Sequence, residues 1–359
     1  MKILAIDLGK FNSVTCLFDT TTNQSEFETL ATQHLALEWI LNKTQPDQVL
    51  IETSSISGWV HDLIDGLGYK VVVVNPSAEA WRWKNVKRKT DKDDALKLAK
   101  LVALEQISTV HVPNAEQRQY RSLVKYRKTL VHRINRVQST IRSLFDQQGI
   151  SIPGGHRAWT IAGVETLSKH AKPLAECELN ELWKGELDLE LKNLDGLWQH
   201  LQSVDDHLEK IARQNESVKL LQTIPGVGRR TAEVIVAIID DPHRFQNVRQ
   251  VSAYVGLVPD QRQSGQTNRL GKITRRGSEL LRSALVEAAW AMLRYNPWAV
   301  QVYQRICGGQ KTRKKTAIIA LARKLLVRCW AMLRRKEPWQ DDTVFPSTTT
   351  SPSSIANPA

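Results

Sequence analysis

The chain has 359 residues, 42 % of them apolar, which is enough for two or more domains with real cores. Its 50 lysines and arginines against 37 aspartates and glutamates give a net charge of +13, pointing to a polyanionic partner, with nucleic acid ahead of a membrane surface. No apolar run is long enough to span a membrane, the first residues lack a signal-peptide pattern, and Cys16, Cys177, Cys307 and Cys329 form no paired motif. A cytoplasmic chain with reduced thiols is expected, without zinc and without a membrane.

In chain order, residues 2–7, 12–19 and 26–30 read as a meander of three strands, followed by a helix over 32–41. A short apolar strand, 49–52, a helix, 57–66, and the valine run of residues 70–76 come next. This order predicts a mixed sheet with helices on both sides. Asp7 and Glu52 each end an apolar strand, so each side chain is expected at the rim of that sheet.

The stretch Lys89-Thr90-Asp91-Lys92-Asp93-Asp94-Ala95 then opens a helix. Asp91 and Asp94, three residues apart, share a stripe with Ala95, Leu98 and Val102. Ahead of them lie Arg82, Lys84, Lys87, Arg88 and Lys89, candidates for phosphate contact, with Trp81 and Trp83 as stacking or core aromatics. Singly, each acid has an ordinary reading. Asp7 is a turn acid, Glu52 a cap or ion-pair residue, and Asp91 and Asp94 acids favoured by a helix dipole. Jointly, four hard oxygen donors suit Mg²⁺, or Mn²⁺ in its place. Such ions hold a phosphodiester and stabilise charge on its attacking and leaving oxygens.

From Glu116 to Phe145 the pattern changes to a heptad seam of Tyr120, Leu123, Arg127, Leu130, Ile134, Val137, Ile141 and Leu144. A second seam runs Leu187, Leu191, Leu194, Trp198, Leu201, Asp205, Leu208 and Ala212, with Asp205 expected as a flaw in its layer. The two predict long coiled-coil helices, paired within one chain or across subunits. Ile224-Pro225-Gly226-Val227-Gly228-Arg229-Arg230 joins two helical segments and resembles a helix–hairpin–helix, where Gly226, Gly228, Arg229 and Arg230 would meet phosphate. A purely structural hairpin fits equally well. Residues 256–277 read as a polar loop loaded with Arg262, Arg269, Lys272, Arg275 and Arg276, all placed to clamp phosphates. By its chemistry alone, Ser264 in that loop is an ordinary serine. The basic stretch 311–336 reads as an amphipathic helix, either a solvated face or a nucleic-acid contact. The expected divisions are a carboxylate domain over 1–112, an arm and linker over 113–217 and a mainly helical domain over 218–339. A Ser/Thr/Pro-rich tail over 340–359 is expected to be disordered.

In combination, Ile6-Asp7, Ile51-Glu52, Lys89-Thr90-Asp91-x-x-Asp94-Ala95, Ile224-Pro225-Gly226-Val227-Gly228, Tyr254-x-Gly256-Leu257-x-Pro259, Ser264-Gly265 and Gly271-Lys272-Ile273-Thr274-x-x-Gly277 resemble one family over residues 1–335. It is the DEDD-type insertion-sequence transposases related to the Piv DNA invertase. The resemblance implies a RuvC-like ribonuclease H fold at the N-terminus, Mg²⁺ on Asp7, Glu52, Asp91 and Asp94, and Ser264 as a nucleophile forming a phosphoserine bond to DNA. It also implies donor and target DNA, a non-coding bridge RNA as guide, homo-oligomers from dimer to tetramer, and a place at the bacterial nucleoid. Three other readings compete. They are a RuvC-like nuclease that uses water, an actin-like or sugar-kinase fold suggested by Ile6-Asp7-Leu8-Gly9, and a non-catalytic nucleic-acid scaffold.

Overall fold

The computed structural model describes residues 1–75, 95–96, 109–264 and 267–340, the side chains of 262–268 and 270 excepted. The chain divides into two compact units, Met1–Gln119 and Tyr120–Ala359.

The first unit is built on β1 (Lys2–Asp7), β2 (Asn12–Asp19), β3 (Ser25–Ala31), β4 (Gln48–Glu52) and β5 (Val71–Val74), with α1 (His34–Thr44) and α2 (Ser57–Gly66) between them. The sheet order is β3-β2-β1-β4-β5. β1 runs antiparallel to β2 and parallel to β4, and β4 runs parallel to β5. Alternation sets the two faces. Leu4, Ile6, Val49, Ile51 and Val73 pack with Leu37, Ile40 and Leu41 of α1 and Val60 and Ile64 of α2. Ile3, Ala5, Cys16, Phe18, Leu50 and Val74 form the opposite layer, joined by Ala95. Burying each such Leu or Ile contributes roughly 1.5–3 kcal/mol. The mixed sheet expected from sequence is therefore present.

α3 (Ala115–Gln147) opens on Asn114, whose side chain accepts from the Gln117 amide at 2.8 Å. Its Arg118 lies against Gly58 and pairs with Asp62 of α2, holding that carboxyl below its usual range.

The second unit holds the rest of α3, α4 (Ile161–Ser168), α5 (Leu182–Gln214), α6 (Glu216–Gln222), α7 (Arg229–Ile239), α8 (Val248–Val255), β6 (Pro259–Ser264), β7 (Thr267–Ile273), α9 (Glu279–Met292), α10 (Pro297–Cys307) and α11 (Lys314–Arg335). α3 and α5 form an antiparallel pair. Phe145 meets Trp183 edge-on at 5.9 Å at one end, and Arg127 meets Asp205 at 2.6 Å towards the other. Leu130, Ile134, Ile141, Leu187, Leu194 and Leu208 lie buried along the seam.

Asp205 is not the flaw its position in an apolar seam predicted. Arg127, the one charged residue in the facing seam, meets both of its carboxylate oxygens, at 2.6 and 3.2 Å. Arg230 of α7 adds a third contact at 2.6 Å and reaches on to Glu233, which is 1 % exposed, at 2.9 Å. Arg229 completes the network with Glu209 at 2.8 Å. Burial pushes the Glu233 carboxyl up, and the Arg230 guanidinium works against that shift. A charge in each seam is tolerated because the two meet each other and a third helix closes over them.

The last turn of α7 is closed by arginines. Arg121 donates to the Ala237 carbonyl at 2.9 Å and Arg244 to that of Ile239 at 3.1 Å. At the far end of the described chain, Arg328 lies 4.2 Å from both the Trp298 and Trp339 rings, and the Trp339 amide donates to Thr223 at 3.0 Å.

Replacing Asp205 by Ala leaves Arg127 and Arg230 facing each other without their acid. The expected loss is about 2 kcal/mol, between surface and buried extremes, read as a lower urea midpoint. Arg127→Leu combined with Asp205→Leu restores the apolar seam and should recover most of that loss. A midpoint unchanged by Asp205→Ala would show that the network holds nothing together.

Candidate active site

The carboxylates at the sheet are placed by strand pairing. The last register pair between β1 and β4 is Ile6 with Ile51, so Asp7 and Glu52, one residue further on, end neighbouring parallel strands at the same rim. By alternation both belong to the face of Ile3, Ala5 and Leu50, and both are half-buried. The chain leaves β1 towards β2 and β3 on one side and returns through β4 and β5 on the other. The ends of β1 and β4 thus form a topological switch point, the kind of place where open α/β sheets bind ligands.

Two carboxylates on strands roughly 4.8 Å apart repel each other unless a cation or hydrogen-bond donor lies between them. Oxygen donors in this setting fit a hard divalent ion and not zinc. Asp91 and Asp94 lie outside the described residues, as do Arg82, Lys84, Lys87, Arg88 and Lys89. Ala95, the residue after Asp94, is 1 % exposed and packs on the same sheet face that Asp7 and Glu52 share by alternation. Among the described residues no group of three or more His, Cys, Asp or Glu gathers.

Ser264 lies in a different setting from the loop expected. Residues 259–273 form a two-stranded antiparallel ribbon, and Ser264 pairs with Thr267 at its tip. Sequence missed it because Asp260-Gln261-Arg262-Gln263 and Thr267-Asn268-Arg269 lack the apolar alternation of a half-buried strand. The ribbon is held by its base. Thr274 donates its amide to Val258 at 2.9 Å, and Arg275 to Gly256 at 3.3 Å.

Gly256 and Gly277 make that base. Both have positive φ, 71° and 81°. A Cβ on Gly256 would lie 2.2 Å from the Arg276 oxygen, and one on Gly277 would lie 1.9 Å from the Tyr254 oxygen. Neither position accepts a side chain. Arg282 of α9 binds across the crossing, donating to the carbonyls of Val255, Arg276 and Gly277 at 3.0, 3.1 and 3.1 Å. It was not singled out from sequence. Its signal is an arginine near the start of a helix, where the dipole favours acids.

The basic candidates divide. Arg269, Lys272, Arg275 and Arg276 are exposed along the ribbon and its base, while the Arg262 side chain lies outside the described residues. Arg229 and Arg230 are held by Glu209, Asp205 and Glu233, which a phosphate would have to displace. Gly226, with φ 91°, faces the Met292 backbone of α9, where a Cβ would come within 2.8 Å. Gly228 has open space beside it and caps α7.

Two family models match separate parts of this chain. Residues 4–149 match the DEDD transposase family of IS110-type elements, and residues 218–304 match the family described as "Transposase IS116/IS110/IS902 family". The chain is 29 % identical over 286 residues to the transposase for insertion sequence element IS1111A of Coxiella burnetii, covering 77 % of this chain and 74 % of that protein. A probable family 20 transposase of Pseudomonas aeruginosa is 27 % identical over 77 % of this chain and 81 % of its own length. The pilin gene-inverting protein of Moraxella lacunata is 33 % identical over 126 residues, 35 % of this chain and 39 % of that protein. Matched at the sheet with its paired acids and again in the half that carries the serine ribbon, the chain belongs to the IS110-type DEDD transposases and is a DNA transposase of the recombinase kind.

Proposed function

We propose that this transposase cuts and exchanges DNA strands of an insertion sequence through a phosphoserine at Ser264, with Asp7, Glu52, Asp91 and Asp94 as ligands of Mg²⁺ or Mn²⁺. The observation that carries the proposal is the register of β1 and β4, which ends two parallel strands in carboxylates at one rim. The burial of Ala95 on the same face supports a place for Asp94 beside them. The strand order β3-β2-β1-β4-β5 supports a RuvC-like ribonuclease H domain. When bound, the divalent ion supplies Lewis-acid polarisation of the scissile phosphate.

The chain's own residues do the rest. The Ser264 hydroxyl attacks phosphorus, a serine–phosphate ester forms, and one strand P–O bond breaks, its oxygen leaving with the strand. The serine proton passes to a base or to solvent. Attack by another strand's hydroxyl on the ester then forms the new strand P–O bond, breaks the serine O–P bond and returns a proton to Ser264, which completes the exchange and reseals the backbone without ATP. The rigid base of the ribbon, Gly256 crossing Gly277 beneath Arg282, supports a serine delivered in a fixed direction. The exposed Arg269, Lys272, Arg275 and Arg276 supply positive charge for the phosphates on either side. DNA is the substrate. A non-coding bridge RNA would supply target choice by base pairing, since no described element is a DNA-reading module of known type. The active form is proposed to be a homodimer or tetramer.

Two assays test these roles. With paired donor and target DNA and Mg²⁺, Ser264→Ala should lower strand exchange about a thousandfold or more, and Asp91→Asn should abolish cleavage. Normal joining by Ser264→Ala would make water the nucleophile, and normal cleavage by Asp91→Asn would remove the metal site. Sequencing the RNA that co-purifies with the protein tests guidance. A single enriched species with segments complementary to both DNA partners is expected, whereas a random sample of cellular RNA would contradict it.

A further inference from the structure

The charge of the chain is not spread evenly. Residues 288–336 contain twelve lysines and arginines and no aspartate or glutamate, so this stretch carries +12 of the net +13. The remainder of the chain is nearly neutral. The stretch covers α10, α11 and the last turn of α9.

Seven of the arginines named so far are committed to the fold. Arg118, Arg127, Arg229 and Arg230 hold carboxylates, and Arg121, Arg244 and Arg282 hold backbone carbonyls. Arg305, Arg323 and Lys324 differ. All three are exposed, and the charged groups that act on Lys324 are cations: Arg305 from α10 and Arg323 and Arg328 from its own helix. Burial of its stem and these like charges lower its pKa, and no carboxylate contributes among the described residues. Crowding cations in this way costs stability.

We infer that Arg305, Arg323 and Lys324 form a sequence-independent grip on the phosphodiester backbone of duplex DNA. The transposase assignment enters only in making DNA the polyanion. Rigid helices fix the three charges, as backbone positioning requires. A single strand would call for aromatic platforms as well. On these two helices Trp330 is 7 % exposed and Trp298 and Tyr303 are half-exposed, while the exposed Trp290 and Tyr295 lie outside them, before α10.

The test uses full-length protein freed of nucleic acid, a labelled duplex of random sequence, and single-stranded RNA of equal length. Binding is read by fluorescence anisotropy over a salt series without Mg²⁺, so the outcome does not depend on the chemistry assigned to Asp7, Glu52, Asp91, Asp94 or Ser264. The triple variant Arg305→Ala, Arg323→Ala, Lys324→Ala should lose about 10- to 100-fold in duplex affinity, with a plot of log affinity against log salt shallower by about 3. Arg305→Lys with Arg323→Lys should keep the slope. If the triple variant melts at a lower temperature than the parent, the single charge reversal Lys324→Glu gives the same reading at an exposed site. Unchanged duplex affinity and slope in a folded variant, or a loss confined to RNA, would overturn the inference.

Discussion

The parallel pairing of β1 with β4 is the constraint on which the catalytic account depends. A one-residue slip in that register would turn either Asp7 or Glu52 to the other sheet face, among Leu4, Ile6 and Ile51. The slip is prevented by burial on both sides. Ile3 and Ala5 belong to one core and Leu4 and Ile6 to the other, all fully buried, so each step along the strand is fixed by packing. The acids are held by residues that have no chemistry of their own.

The second unit uses a different means to the same end. Its ribbon has little core, since Gln261, Arg269, Gly271 and Lys272 are exposed. Direction therefore comes from the base, where two glycine backbones cross and Arg282 ties three carbonyls. The arm is located on α7 through Asp205, shared by Arg127 and Arg230. Specific polar contacts within the otherwise apolar seam fix which layers meet, a task that leucine and valine packing alone does poorly.

Much of this was legible in the sequence. The five strands and two helices of the first unit follow from short apolar runs between turns, and the strand-end acids follow from where those runs stop. The seams of α3 and α5 follow from their spacing, because each helix buries one stripe along its length. What was not legible is long-range. Arg127 and Asp205 lie 78 residues apart, and only the antiparallel pairing of their helices brings them together. The ribbon was hidden because backbone pairing, not side-chain alternation, makes it. Gly226 read as a phosphate contact, whereas its bare Cα faces Met292, on a helix that begins more than fifty residues later.

The central claim is that a serine and a set of carboxylates act on one phosphate. Its most direct measurement is mass spectrometry of protease digests from reactions stopped by denaturant while strands are exchanging. A nucleotide-linked peptide containing Ser264 is predicted, and it should vanish when Asp7 is replaced by Asn. A linkage on any other residue, or cleaved DNA ends carrying oxygen from isotopically labelled water with no peptide attached, would contradict the account.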